Sequence, residues 1–384
     1  MIYQRMRHFL VVKEVRISGL LFFINALVFS NYAVRLPDIK LMLGINDAQL
    51  GLALLFSPLG VVVFSPVAMI LMNKYGAGKM SVWTVLGTSL SITFLAIPTT
   101  YIGWCIALFF YGFFHGGLDI SMNGLVSALE KKNKKIYMST AHGFWSLGAM
   151  VGAFIGSGVA AFGILYQWHF LGSSVFCLIL LAFNLRPIWG IRDEREGNLS
   201  FKRPGRNLVI FIWIIFVSFM AEGAIIEWNA IFYHDVLNAS AKWVGLGFAG
   251  FTATMALTRF FGDGLIERYD YNQLLLGAIS SVVVGIIIFG MGLNIWVCFV
   301  AMLLSGAGCS VIVPSVFYQA GNLKHIPPSV ALTMVSTFGY AGLLVGPPLM
   351  GFISEGFSLQ VSFYSLAGLY LLALILSRFI ISEQ

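Results

Sequence analysis

Three carboxylates stand inside long apolar runs of this 384-residue chain: Asp119, Glu222 and Glu227. An ionisable group at mid-bilayer depth costs about 2.5–3.5 kcal/mol on insertion scales, so its presence there points to chemistry. The chemistry open to a lone buried carboxylate is proton exchange, because protonation removes the cost of burying its charge. Asp119 has the most suggestive surroundings. His115, Asp119 and Asn123 recur at intervals of four, which places them on one stripe of a helix. Gly112, Gly116, Gly117 and Gly124 flank that stripe, so it faces a cavity or a closely packed neighbour. The plain alternative is a permanently hydrogen-bonded acid that fixes helix packing.

Glu222 is followed by Gly223, which would let the helix bend or unwind. Glu227 lies five residues on, roughly 140° around an ideal helix, so both cannot face one cavity unless the helix breaks between them. Glu222 is read as a substrate or proton ligand, and Glu227 as a contact at the outer gate. Trp228, Asn229 and Tyr233 would line the outer mouth; an interfacial aromatic belt explains the Trp and Tyr equally well. His142, Trp145 and Ser146 fall at i, i+3 and i+4, combining a titrating ring, an aromatic face and a hydroxyl. A His142 satisfied by a backbone carbonyl is the bland reading. Asn25, Asn31, Gln319 and Tyr340 are further cavity candidates. Arg259 and Asp263 at i, i+4, with Glu267 and Arg268, form a charge cluster suited to latching a gate, and Asn73-Lys74 occupies the corresponding loop of the first half.

The elements that carry these residues are membrane spans. Hydrophobic residues make up 59% of the chain and charged residues 10%, against about 25% charged in a soluble domain. Spans of about 20 apolar residues are predicted at 17–34, 49–72, 80–98, 102–129, 137–161, 165–185, 208–232, 243–262, 273–291, 294–320, 329–353 and 358–378. Asn25 and Asn31 follow the basic N-terminal stretch without a small-residue cleavage site, so the first span is expected to stay attached rather than serve as a signal peptide. With the N-terminus inside, all Lys and Arg fall on the cytoplasmic side except Arg35, Lys40, Lys242 and the helix-end Arg259, as the positive-inside rule requires. The net charge of +7 therefore reports topology, and no nucleic-acid partner is expected. Cys105, Cys177, Cys298 and Cys309 all lie within predicted spans at no metal-ligand spacing, so neither zinc nor a disulfide is expected.

The chain also repeats itself. Residues 43–52 align with 237–246, Lys74-Tyr75 with Arg268-Tyr269, and Gly148, Val151 and Gly152 with Gly342, Val345 and Gly346, each at an offset of 194. Two such halves imply a pseudo-twofold axis, with the substrate at their seam. The expected division is a six-helix half over 1–185, a cytoplasmic linker over 186–207 and a second six-helix half over 208–384. The linker's charge makes it a solvated surface tether. At the same offset, the stripe 115/119/123 becomes Cys309, Val313 and Phe317, so its polar chemistry belongs to one half only.

Twelve spans, a central loop and a 6+6 repeat resemble the major facilitator superfamily over essentially the whole chain. Its loop signature, Gly-x-x-x-Asp-Arg/Lys-x-Gly-x-Arg/Lys-Arg/Lys, stands here as residues 69–79, with Met69 for the Gly and Asn73 for the Asp; Gly262-Asp263-Gly264 through Arg268 is a charged version in the second half. Residues 118–123, 142–148 and 222–224 resemble a bacterial inner-membrane branch similar to fucose-permease-like sugar/proton symporters. The Arg-x-x-x-Gly motif of many drug exporters is missing, since Gly112 precedes Gly116.

The resemblance implies an all-α membrane protein, monomeric, without cofactor or metal, that moves a small polar solute by alternating access. Proton-coupled symport of a sugar or organic acid is the first expectation, with Asp119, Glu222 and His115 as proton groups. Export of a metabolite or drug is the second, and a non-transporting sensor the alternative of another class. No His-Glu-x-x-His, nucleophile elbow or phosphate loop suggests an enzyme.

Overall fold

The computed structural model describes residues 2–182, 185–192, 205–261, 270–323, 326 and 328–380. Among them the chain is helical throughout, with α1 Ile2–Val11, α2 Lys13–Val34, α3 Leu36–Leu43, α4 Asp47–Leu54, α5 Phe56–Tyr75, α6 Ala77–Phe94, α7 Tyr101–Asn133, α8 Met138–Ala161 and α9 Tyr166–Leu181 in the first half. The second half holds α10 Arg206–Ile231, α11 Leu246–Phe261, α12 Tyr271–Gly290, α13 Ile295–Gly321, α14 Pro328–Gly356 and α15 Leu359–Ser377. The twelve predicted spans correspond to α2, α4–α5 and then α6 to α15 in order. Span two is divided because Pro58 has no N–H to give the Leu54 carbonyl, and the helix restarts at Phe56. By length and composition, nine helices of the described residues can cross a membrane.

Local chemistry starts each element where the pattern requires. Asn46 and Gln49 form a reciprocal capping box at α4, with the Gln49 N–H donating to Asn46 Oδ1 at 2.9 Å. At the repeat offset, Ser240 opens a short 3-10 turn, Ala241–Trp243, before α11 begins. Glu130 Oε1 accepts from the N–H groups of Tyr137 (2.6 Å) and Met138 (2.7 Å), satisfying free donors at the start of α8.

Within each half, small residues let paired helices touch backbone to backbone. Gly148 of α8 lies on the Phe23 carbonyl of α2, and a Cβ on Gly152 would come within 2.8 Å of the Leu27 carbonyl. The repeat is visible in α14, where Gly342 lies on the Phe216 carbonyl of α10 and a Cβ on Gly346 would sit 2.9 Å from the Met220 carbonyl.

The halves meet along two pseudo-equivalent seams. In one, α4 crosses α14, and a Cβ on Gly51 would lie 2.7 Å from the Pro347 carbonyl and 3.1 Å from Gly351 Cα. In the other, α11 runs along α8, and the Gly245 N–H donates to Ser157 Oγ at 2.9 Å. Gly51 and Gly245, like Ser157 and Gly351, are related by the offset of 194. The α8–α11 seam continues to the end of the bundle that holds the chain termini, where Ser139 Oγ donates to the Arg259 carbonyl at 3.0 Å. The other seam does not: α14 packs on α4 but barely on α5, and with Phe338 and Tyr340 of α14 exposed there the seam loosens into a crevice between α5 and α14 toward that terminal end.

The start of the linker departs from expectation, and the N-terminal stretch adds a helix. The linker is more than a tether at its start: Ile188 is fully buried, the Gly78 N–H donates to the Ile191 carbonyl at 3.0 Å, and the Lys79 ammonium lies 5.6 Å from the Trp189 ring centroid. Its apolar residues Ile188, Trp189 and Ile191 dock on the start of α6, which outweighs the solvation of the flanking charge. The N-terminal basic stretch forms α1, whose Phe9 is buried and stacks on Phe144 of α8 at 5.3 Å.

Candidate functional site

The stripe on α7 forms as its spacing predicts. Asn123 Nδ2 donates to the Asp119 carbonyl at 2.8 Å and reaches Asp119 Oδ1 at 3.4 Å. Across the crevice, Tyr340 of α14 lies within Coulombic reach of Asp119, with 44% of its own surface exposed. Two residues from opposite halves therefore face one another where the halves part.

Asn25 ties three helices together beside that pair. Its Nδ2 donates to the His115 carbonyl of α7 at 3.3 Å, and its Oδ1 accepts from Trp145 Nε1 of α8 at 3.0 Å. His142 sets its ring edge against Phe22 at 5.0 Å. One turn on, Ser146 Oγ donates to the His142 carbonyl at 3.3 Å and accepts from Arg259 Nη1 at 2.9 Å.

Arg259 accordingly points inward from α11 to the seam. Its Nη2 lies 3.9 Å from Glu222 Oε1 of α10, so Glu222 is its carboxylate partner among the described residues. Asp263, Glu267 and Arg268, expected to share a latch with Arg259, lie outside the described residues. In the last turn of α5, the Lys74 ammonium stands 5.1 Å from the Tyr75 ring centroid, next to Asn73.

Glu222 and Glu227 point to different neighbours, as their angular separation requires, but no break in the helix is involved. Helix α10 runs unbroken through Gly223, which is instead a packing position: a Cβ there would meet Leu343 of α14 at 2.7 Å. Glu227 is 5% exposed and lies within Coulombic reach of Tyr32 of α2 and Tyr111 of α7. Tyr111 stacks on His115 at 5.3 Å, extending the α7 stripe one turn.

Other candidates are placed away from the crevice. Asn31 Nδ2 donates to Ser173 Oγ at 3.1 Å, and its Oδ1 contacts His169 Nε2 at 3.1 Å, both on α9. Trp228, Asn229 and Tyr233 are fully buried, so they do not form an exposed interfacial belt. Asn229 lies against Gly247 of α11, and the Tyr233 hydroxyl donates to the Ile295 carbonyl at 3.1 Å.

One constellation has no counterpart in the sequence reading. At the end opposite the termini, Lys40 of α3 bridges Asp47 at 2.5 Å and Asp235 at 2.7 Å, joining the first half to the second. Asp47 accepts a hydrogen bond from Ser354 Oγ, and its backbone N–H donates to Glu355 at 3.2 Å. Burial opposes the charge on Lys40, but hydrogen bonds and attraction from Asp235 and Asp47 outweigh it and hold the ammonium above the ordinary lysine range. The only signal for it in the sequence is that Lys40 is one of few cations expected on its face.

Comparison with known proteins places this geometry. The Major Facilitator Superfamily profile matches residues 19–328 and 213–384. An uncharacterized MFS-type transporter of Yersinia pestis is 33% identical over 356 residues, covering 92% of each chain. Among solved structures, the nucleoside transporter NupG superposes with a TM-score of 0.73 at 13% identity, covering 97% of this chain and all of that one. A variant of the E. coli fucose:proton symporter FucP superposes at 0.63 with 17% identity, over 96% of this chain and 99% of its own.

Proposed function

The chain belongs to the Major Facilitator Superfamily of transporters, and on that footing we propose that it carries a small neutral polyhydroxylated solute, of the sugar class, across the bacterial inner membrane together with a proton. The terminal end faces the cytoplasm, consistent with the distribution of Lys and Arg. In this reading the latched end faces outward, which makes this an outward-closed state with its crevice directed inward. The division at the 186–207 linker separates the two moving halves.

The observation that carries this reading is Asp119 at the crevice between α5 and α14, within reach of Tyr340 from the other half. Alternating access opens and closes that seam, so the setting of Asp119 changes with the conformational cycle. In the closed seam an ionised carboxylate lacks water, and protonation removes that cost; a loaded, protonated site can therefore reorient. Charge selects the solute class. Arg259 and Glu222 balance each other, leaving Asp119 as the remaining charge, and protonation leaves the site neutral. A neutral solute fits such a site better than an organic acid. Trp145, held in place by the buried Asn25, and Tyr340 offer the flat apolar face and the hydroxyl that a sugar ring uses. The solved structures of similar fold include a nucleoside transporter and a fucose:proton symporter, and this likeness supports the choice without naming the solute.

Thermal stability of the purified protein at pH 5.5 and 7.5, against sugars, nucleosides, organic acids, amino acids and cationic drugs, tests the reading. A sugar or nucleoside that stabilises the protein in a pH-dependent way, with the dependence lost in Asp119→Asn, is the expected result. Stabilisation by cationic drugs alone overturns it.

A further inference from the structure

Glu227 is buried at the interface between halves, and the charges around it are all committed elsewhere. Its Oε2 is enclosed and has no hydrogen-bond partner among the described residues, nor do the hydroxyls of Tyr32 and Tyr111, both fully buried beside it, or His115 Nε2. The described elements packed on α10 offer it no cation. Tyr32 of α2 and Tyr111 of α7 are phenols, His115 of α7 is a titratable ring stacked on Tyr111, and Arg35 at the end of α2 pairs with Asp38 and donates to the Ile164 carbonyl. Lys40 of α3 is held by Asp47 and Asp235. Arg259 of α11 pairs with Glu222, Cys309 of α13 contacts Tyr370 of α15, and Tyr340 of α14 lies beside Asp119.

A carboxylate ionised in such a place would have neither water nor a counter-charge, which is the costliest state a side chain can adopt. Glu227 precedes Asp235 of the Lys40 latch by about two helical turns, on the same helical run. That places it beneath the closed outer gate, on the outward side of Glu222. When the halves part at this end, α10 separates from α2 and water reaches the group.

We propose that Glu227 is a second proton-binding site of the carrier, separate from Asp119, whose protonation is required for the outer gate to close over the solute. The proton is taken from the outer medium onto the Glu227 carboxylate while the gate is open. It is held as a neutral carboxyl group between Tyr32 and Tyr111 in the closed state, and it returns to water when the seam reopens. Acid therefore favours the outward-closed state and rising pH favours opening. This inference rests on the alternating-access reading above, and its test is independent of transport.

Spin labels at Ile97 and Leu293, exposed positions at the outer ends of the two halves, report the gate as a distance distribution. In the Asp119→Asn background, which removes the opposing pull of Asp119 protonation toward the outward-open state, acidification from pH 8 to pH 5.5 is expected to shift the population toward the short distance, by up to about tenfold in the closed-to-open ratio per pH unit for one proton. In that background Glu227→Gln should sit at the short distance at both pH values, while Glu227→Asp, His234→Asn and His115→Asn, whose ring stacks on Tyr111 at 5.3 Å, should keep the response. His234 is included because its ring nitrogen Nδ1 lies 2.5 Å from Asp235 Oδ1 at the latch. A Glu227→Gln protein that still responds like its Asp119→Asn parent, or that stays open at both pH values, overturns the proposal, as does a response lost in His234→Asn or His115→Asn. Loss of pH-dependent transport in Asp119→Asn alongside an unaltered Glu227→Gln response would leave the transport reading standing and this one refuted.

Discussion

Asn25 shows how a single side chain can organise the cavity wall. Its amide joins α2 to the backbone of α7 and to the indole of Trp145 on α8, so truncation leaves a buried donor and acceptor unmatched. Asn25→Ala should destabilise the protein by about 1–3 kcal/mol, read as a lower melting temperature in detergent. It should also weaken solute binding, because Trp145 loses its orientation. Trp145→Phe keeps most of the apolar face but drops the N–H, and should lose binding with a smaller change in melting temperature. Asp119→Asn should leave the melting temperature at neutral pH near the wild type while abolishing proton-driven uptake. The stripe 115/119/123 is legible in the sequence because helical periodicity is a local signal. Tyr340 can be named there only as a candidate, because its approach to Asp119 depends on how two distant helices cross.

At the scale of elements, the glycine pairings carry the architecture, and they are the most legible part of the chain. The offset of 194 relates Gly51 to Gly245 and Gly148 to Gly342, and each is a point where one helix backbone rests on another. A β-branched side chain at Gly51 collides with the Pro347 carbonyl of α14, so Gly51→Val should hold the outer seam apart. Thiol reagents should then label a cysteine placed at Ser354 faster than in the parent. What the sequence hides is where charges pair. Lys40 and Asp235 are 195 residues apart, and Arg259 of α11 lies 3.9 Å from Glu222 of α10. No periodicity encodes contacts of that kind, since they depend on the docking of helices whose own patterns are complete without them. The docking of the linker's start is hidden for a related reason: charge density marks it as solvated, whereas Ile188 and Trp189 decide where it lies.

For the whole molecule, the account is one of two halves latched at one end and parted along one seam at the other. The latch is built to be insensitive to ordinary pH. Lys40 is held above its usual range by Asp235 and Asp47, so its contribution is fully present below the ordinary lysine value and lost only as pH rises through the raised one. Lys40→Ala should therefore favour the outward-open state at both pH 5.5 and pH 8, seen as a longer Ile97–Leu293 label distance. The most direct test of the central claim is solute-driven proton entry into proteoliposomes, followed with a pH-sensitive dye in the lumen. The account predicts that a sugar or nucleoside that stabilises the protein acidifies the lumen, and that Asp119→Asn abolishes the acidification while still binding that solute. Acidification undiminished in Asp119→Asn, or solute uptake with no proton movement in the wild type, would contradict it.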